Sequence, residues 1–119
     1  MEKELIESSF NILNQIKLYH WATLSYAAHK ALDDLHTILS QHFDTLIEAY
    51  LGNHNLQPLP QFTVHTKSNT DVSNITKFIQ HSHKYLSKIH KKIKQSEMQN
   101  IIDEMLTALN KTSYLLKLE

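Results

Sequence analysis

The chain has 119 residues, with 12 lysines and no arginine balanced by 12 acidic residues, nine histidines and no cysteine. Balanced charge gives no overall field to draw nucleic acid or an anionic membrane, and the lack of cysteine removes disulfide frameworks, thiolate zinc sites and cysteine nucleophiles. The length suits a single domain, residues 1–119, with a modest core. Apolar runs are short and Met1 to Phe10 mixes charged with apolar side chains, so neither a signal peptide nor a membrane span is expected and the expected location is the cytoplasm.

The one glycine and both prolines lie between Gly52 and Pro60, so helix-breaking residues are confined to one stretch and the rest reads as all-α. Leu5, Phe10, Leu13, Ile16 (or Lys17) and His20 follow helical spacing and predict a first helix from about Lys3 to Trp21. Leu32, Leu35, Leu39, Phe43, Leu46 and Tyr50 form a narrower stripe, which predicts a second helix from about Ser25 to Leu51 with Gly52 as its C′ residue. Residues 53–70 are polar and contain Pro58 and Pro60, reading as a long crossover connection that returns the chain along the bundle. Thr70 or Asp71 can cap a third helix carrying Ile75, Phe78, Ile79, Ser82, Leu86, Ile89 and Ile93. Ser96 is the expected cap of a fourth, whose stripe is Met98, Ile101, Ile102, Met105, Leu109, Thr112 and Leu116. The sum is a four-helix bundle.

On the second helix two couples of metal-ligand type mirror each other: His29-x-x-x-Asp33 and Asp44-x-x-x-Glu48. Each i,i+4 spacing stacks two side chains on one helix face, and all four flank the apolar stripe. The couples are centred about 22 Å apart, too far to hold one ion within a chain. They share a midpoint between Ile38 and Leu39. Two copies of the helix packed antiparallel about that point would set His29 and Asp33 of one beside Asp44 and Glu48 of the other, giving two equivalent sites per dimer. The competing reading is a solvated helix face with a few charges.

The stretch Leu18-Tyr19-His20-Trp21, followed by the two couples and by Glu48-Ala49-Tyr50-Leu51-Gly52 and Gln57-Pro58-Leu59-Pro60, resembles the Dps (starvation-protein) branch of the ferritin-like superfamily. The resemblance rests on residues of the first half, while the second half offers compatible helices. It implies a ferritin-like four-helix bundle whose ferroxidase centre lies between two subunits. His20, His29 and Asp33 would come from one subunit, and Asp44 and Glu48 from its twofold mate. On this reading all five bind metal, and His29, Asp33, Asp44 and Glu48 carry the oxidation of iron(II) by peroxide or oxygen. The interval from His20 to His29 is three residues shorter than the family's pattern, which makes His20 the ligand that depends most on how the turn folds. The short chain also lacks a lysine-rich N-terminal tail, as a small viral or phage-type offshoot of the family would; its place would then be the host cytoplasm.

Carboxylate and imidazole ligands suit iron(II), with manganese or zinc as alternatives. Trp21, beside His20, reads first as a core aromatic at a helix end; the resemblance adds a role in accepting an oxidising equivalent over the site. His36 reads as a solvent or dimer-interface residue, or as a support to the site. His42, His81, His83 and His90 read as surface residues, and the lysine strip Lys84, Lys88, Lys91, Lys92 and Lys94 as a solvated face, since nucleic-acid binding lacks arginine and interleaved aromatics. The expected partner is a second copy of the chain, not DNA or membrane. The alternative function is a structural or interaction bundle that keeps the fold without catalysis.

Overall fold

The computed structural model describes residues 1–54, 61–67 and 71–118, and these contain four α-helices and no strand. They are α1 (Glu2–Ala22), α2 (Tyr26–His54), α3 (Val72–Lys92) and α4 (Ser96–Leu116). Helix α2, at 29 residues, spans about 43 Å at 1.5 Å per residue and so runs the full 44 Å long axis of the molecule. It packs chiefly on α1 and α4, and α3 packs on α4. Tyr19 of α1 meets Phe78 of α3 edge to face at 5.6 Å, which links the outer pair of helices. No helix is long and apolar enough to cross a membrane, among the described residues.

The α2 stripe is buried as expected: Leu32, Leu35, Leu39, Phe43, Leu46 and Tyr50 all lie in the core. So do Ile75, Ile79, Ser82, Leu86, Ile89 and Ile93 of α3, and Met98, Ile102, Met105, Leu109, Thr112 and Leu116 of α4. Helix α1 buries Leu5, Ile16 and His20 as expected, but its buried face is wider than the expected stripe and leaves out Phe10. Its buried face is Leu5, Ile6, Ser9, Ile12, Gln15, Ile16, Tyr19 and His20, while Phe10 is 48% exposed. Besides His20, two polar residues lie inside, Ser9 and Gln15, and each finds a partner. Ser9 Oγ donates to Ile6 O at 2.6 Å. Gln15 Nε2 donates to Lys67 O at 2.8 Å while its Oε1 accepts from Lys67 N at 2.5 Å.

That reciprocal amide pairing fixes the 61–67 segment against α1. Phe62 packs on Phe10 with ring centroids 5.4 Å apart, and Asn11 Oδ1 accepts from His65 N at 2.7 Å. Residues 62, 65 and 67 therefore meet residues 10, 11 and 15 in order, so the segment runs beside α1 in the same direction.

Two expected helix boundaries shift and one expected cap holds. Helix α2 continues through Gly52 to His54, so Gly52 is a helical residue rather than the left-handed stop. Gln95, not Ser96, is the N-cap of α4, and no side chain caps it. Asp71 caps α3, accepting from Ser73 N at 3.4 Å. The other expected cap, Thr70, and the stretch Gln57-Pro58-Leu59-Pro60 lie outside the described residues.

Candidate metal centre

The turn between α1 and α2 brings His20 and His29 together. Thr23 ends α1, its N–H donating to Tyr19 O at 2.9 Å, and Ser25 Oγ accepts from Ala28 N at 3.1 Å as a cap for α2. Across this turn the two imidazoles stack with centroids 3.9 Å apart and planes 18° from parallel. Each ring's Nδ1 lies 2.7 Å from the other residue's backbone carbonyl oxygen. A carbonyl only accepts, so both Nδ1 atoms carry the hydrogen. In the neutral rings both Nε2 atoms then hold a free lone pair, the form in which imidazole binds metal. The short turn thus locks His20 in place rather than pulling it out of reach. His20 is 8% exposed.

Asp33 stands one helical turn from His29. Its Oδ1 lies 3.9 Å from His20 Nε2 and also 3.9 Å from Lys17 Nζ. The sequence offered Lys17 only as an alternative to Ile16 in the α1 spacing, although it sits three residues before His20 on the same side of the helix. His36 is half-buried next to this group: burial, then the Lys17 charge, holds its imidazole below the usual range, with Asp33 opposing. His36 therefore lies near enough to Lys17 and Asp33 for their charges to act on it.

Asp44 and Glu48 are exposed on α2. Hydrogen bonding to Asp44 and the adjacent Asp44 charge hold the Glu48 carboxyl above the usual carboxylate range. Two like charges side by side make ionisation of the second carboxyl less favourable. Beside them, Phe10, Leu13 and Ile47 line a groove of about 440 Å³ between α1 and α2. The two couples remain apart along α2. Among the described residues, no three His, Asp or Glu groups converge to hold an ion within one chain.

Trp21 lies outside the core, 70% exposed, with Lys17 Nζ 6.0 Å from its ring centroid. The core-aromatic reading fails because α1 ends one residue later and its buried face passes through Tyr19 and His20. Leu24 and Tyr26 are exposed at the same corner. Two other histidines are less free than the sequence implied. His42 Nε2 lies 3.3 Å from Glu104 Oε2, bridging α2 and α4, and His90 Nε2 lies 3.0 Å from Asp103 Oδ1, bridging α3 and α4. The five lysines of the α3 strip are all exposed, as a solvated face requires.

No curated protein and no solved structure matches the chain. Residues 20–116, from the first histidine of the stacked pair to the end of α4, match the family described as "Family of unknown function (DUF5856)", and the chain belongs to that family.

Proposed function

We propose that this chain is a Dps-like, ferritin-superfamily protein that takes iron(II) as substrate at sites shared between two twofold-related subunits and oxidises it with peroxide or oxygen. The observation that carries this reading is the clamped His20–His29 pair, which holds two metal-binding imidazoles rigidly beside Asp33. The Asp44–Glu48 pair, whose adjacent negative charges a cation would offset, supports it from the mirrored position on the same helix. In the dimer His20, His29 and Asp33 face Asp44 and Glu48 of the partner subunit, and the apolar groove of Phe10, Leu13 and Ile47 becomes contact surface. The ferritin-like form of the bundle, with its long crossover, is supported by the 61–67 segment lying along α1 and by the packing of α2 on α4.

The donor set fits iron(II): imidazole nitrogen and carboxylate oxygen, with no thiolate. Two iron(II) ions each give one electron to a peroxide, whose O–O bond breaks to leave two waters after two protons are taken up. His20 and His29 would offer their Nε2 atoms to the ion, and the ion's charge would offset the repulsion between Asp44 and Glu48. Lys17 competes with the ion for Asp33 and would have to turn away.

A second reading, a helical bundle that keeps the fold without metal chemistry, is favoured by the lack of three converging ligand groups within one chain. Iron(II) added anaerobically to metal-free protein, then exposed to peroxide, separates the two. The metal reading expects oxidation faster than in buffer, lost in Asp44→Asn; equal rates for protein, variant and buffer favour the structural bundle.

A further inference from the structure

A cavity of about 600 Å³ lies between α1, the 61–67 segment and the start of α3, on the opposite flank of α1 from Leu13 and Lys17. Its volume falls within the range of small-molecule pockets. Tyr19 and Phe78 form an aromatic wall, their rings edge to face. Around it stand Lys67, Lys77, His65 and His81, and among the described residues no Asp or Glu lines it. Two of these basic residues sit on a fixed support. The Gln15 carboxamide is spent in both directions on the Lys67 backbone, and Asn11 holds the His65 N–H, so the wall carrying them is tied to α1. In a chain with balanced charge, the described lining combines two exposed lysines and two exposed histidines with an aromatic surface and includes no Asp or Glu. Such a setting complements an anion joined to an apolar body.

We infer that this cavity binds a small organic anion: an apolar or aromatic body bearing one carboxylate or phosphate. The aromatic wall takes the body and Lys67 and Lys77 take the charge. The site is independent of the proposed metal centre and shares none of its ligands.

The test uses the full chain and the fluorescent probe 8-anilinonaphthalene-1-sulfonate, an aromatic anion of suitable size. Wild type is expected to bind it at least about tenfold more tightly than N-phenyl-1-naphthylamine, which has the same rings without the charge. Changing Lys67→Met together with Lys77→Met should weaken binding of the anion by about tenfold. Changing Lys84→Met together with Lys88→Met removes the same charge from the outer face of α3 and should change it less than about twofold. Displacement of the probe by phenyl phosphate or by benzoate then tells which head group the site takes. Circular dichroism and a cooperative melt for each variant separate lost binding from lost fold. Equal affinity for the charged and uncharged probes, equal losses in the two lysine pairs, or displacement by neither competitor would overturn the inference.

Discussion

His20 and His29 are locked to each other in both directions: their rings stack at 3.9 Å, and each donates from Nδ1 to the other's carbonyl at 2.7 Å. The clamp closes the α1–α2 turn and fixes the rings in one operation. His20→Phe keeps a ring for stacking and removes one donor, leaving the His29 carbonyl without its partner. The expected cost is about 1–2 kcal/mol, read from urea denaturation with an unchanged slope. An unchanged midpoint would show that the clamp does not hold the turn.

Glu48 gives a prediction free of any metal. Its carboxyl is held above the ordinary range by Asp44, so between the unfolded and the folded value the folded chain binds more of a proton there than the unfolded chain does. Stability from this group is full below the unfolded carboxylate value and is lost as pH rises through the higher folded value. In Asp44→Asn both the charge and the shared hydrogen bond are weakened, and Glu48 should titrate in the ordinary range. Carbon-detected NMR of the side-chain carboxyl follows this directly; identical Glu48 titrations in both proteins would refute it.

Gln15→Leu keeps a side chain of similar size in the α1 core but deletes both hydrogen bonds to Lys67. A loss of about 1–3 kcal/mol is expected from the unsatisfied backbone groups. Limited proteolysis should cut within residues 61–67 sooner than in wild type, with the helices intact by circular dichroism. Unaltered cleavage would mean that the segment is held by Phe62 and His65 alone.

Tyr85 carries a buried hydroxyl with no hydrogen-bond partner among the described residues. Burial pushes its phenol above the usual range, opposed by the Ser8 hydroxyl, which is close enough to act on it but outside good hydrogen-bonding geometry. A raised folded value means that the contribution is present below the unfolded tyrosine value and declines as pH rises above it. Tyr85→Phe should therefore leave stability unchanged or raise it by up to about 1 kcal/mol at neutral pH. It should also soften the loss of stability above about pH 10. A destabilised variant would reveal a partner for the hydroxyl.

The three helices with a clear apolar stripe were legible in the sequence, because Leu32 to Tyr50, Ile75 to Ile93 and Met98 to Leu116 each repeat at helical spacing beside polar faces. Helix α1 was legible only in part, for a physical reason. Its apolar residues lie on several sides, and two core slots go to Ser9 and Gln15, whose burial depends on a local carbonyl and on a backbone amide 52 residues away. Spacing along one helix does not encode such a contact. The same limit hid the role of Lys17 and the cavity over Tyr19. The ligand-type couples on α2 were legible by position, but the stacked geometry of His20 and His29 arises from a turn whose caps, Thr23 and Ser25, the pattern of apolar residues does not report.

The central claim is that one metal site needs two chains, and subunit complementation tests it most directly. One variant carries His29→Ala and Asp33→Asn; the other carries Asp44→Asn and Glu48→Gln. Each alone should lack iron(II) oxidation above buffer. Unfolded and refolded together in equal amounts, half of the dimers should pair unlike chains and restore one of two sites, returning about a quarter of wild-type activity. Activity that stays at the buffer level in the mixture, while wild type is active and both variants fold and dimerise, would contradict a site shared between subunits.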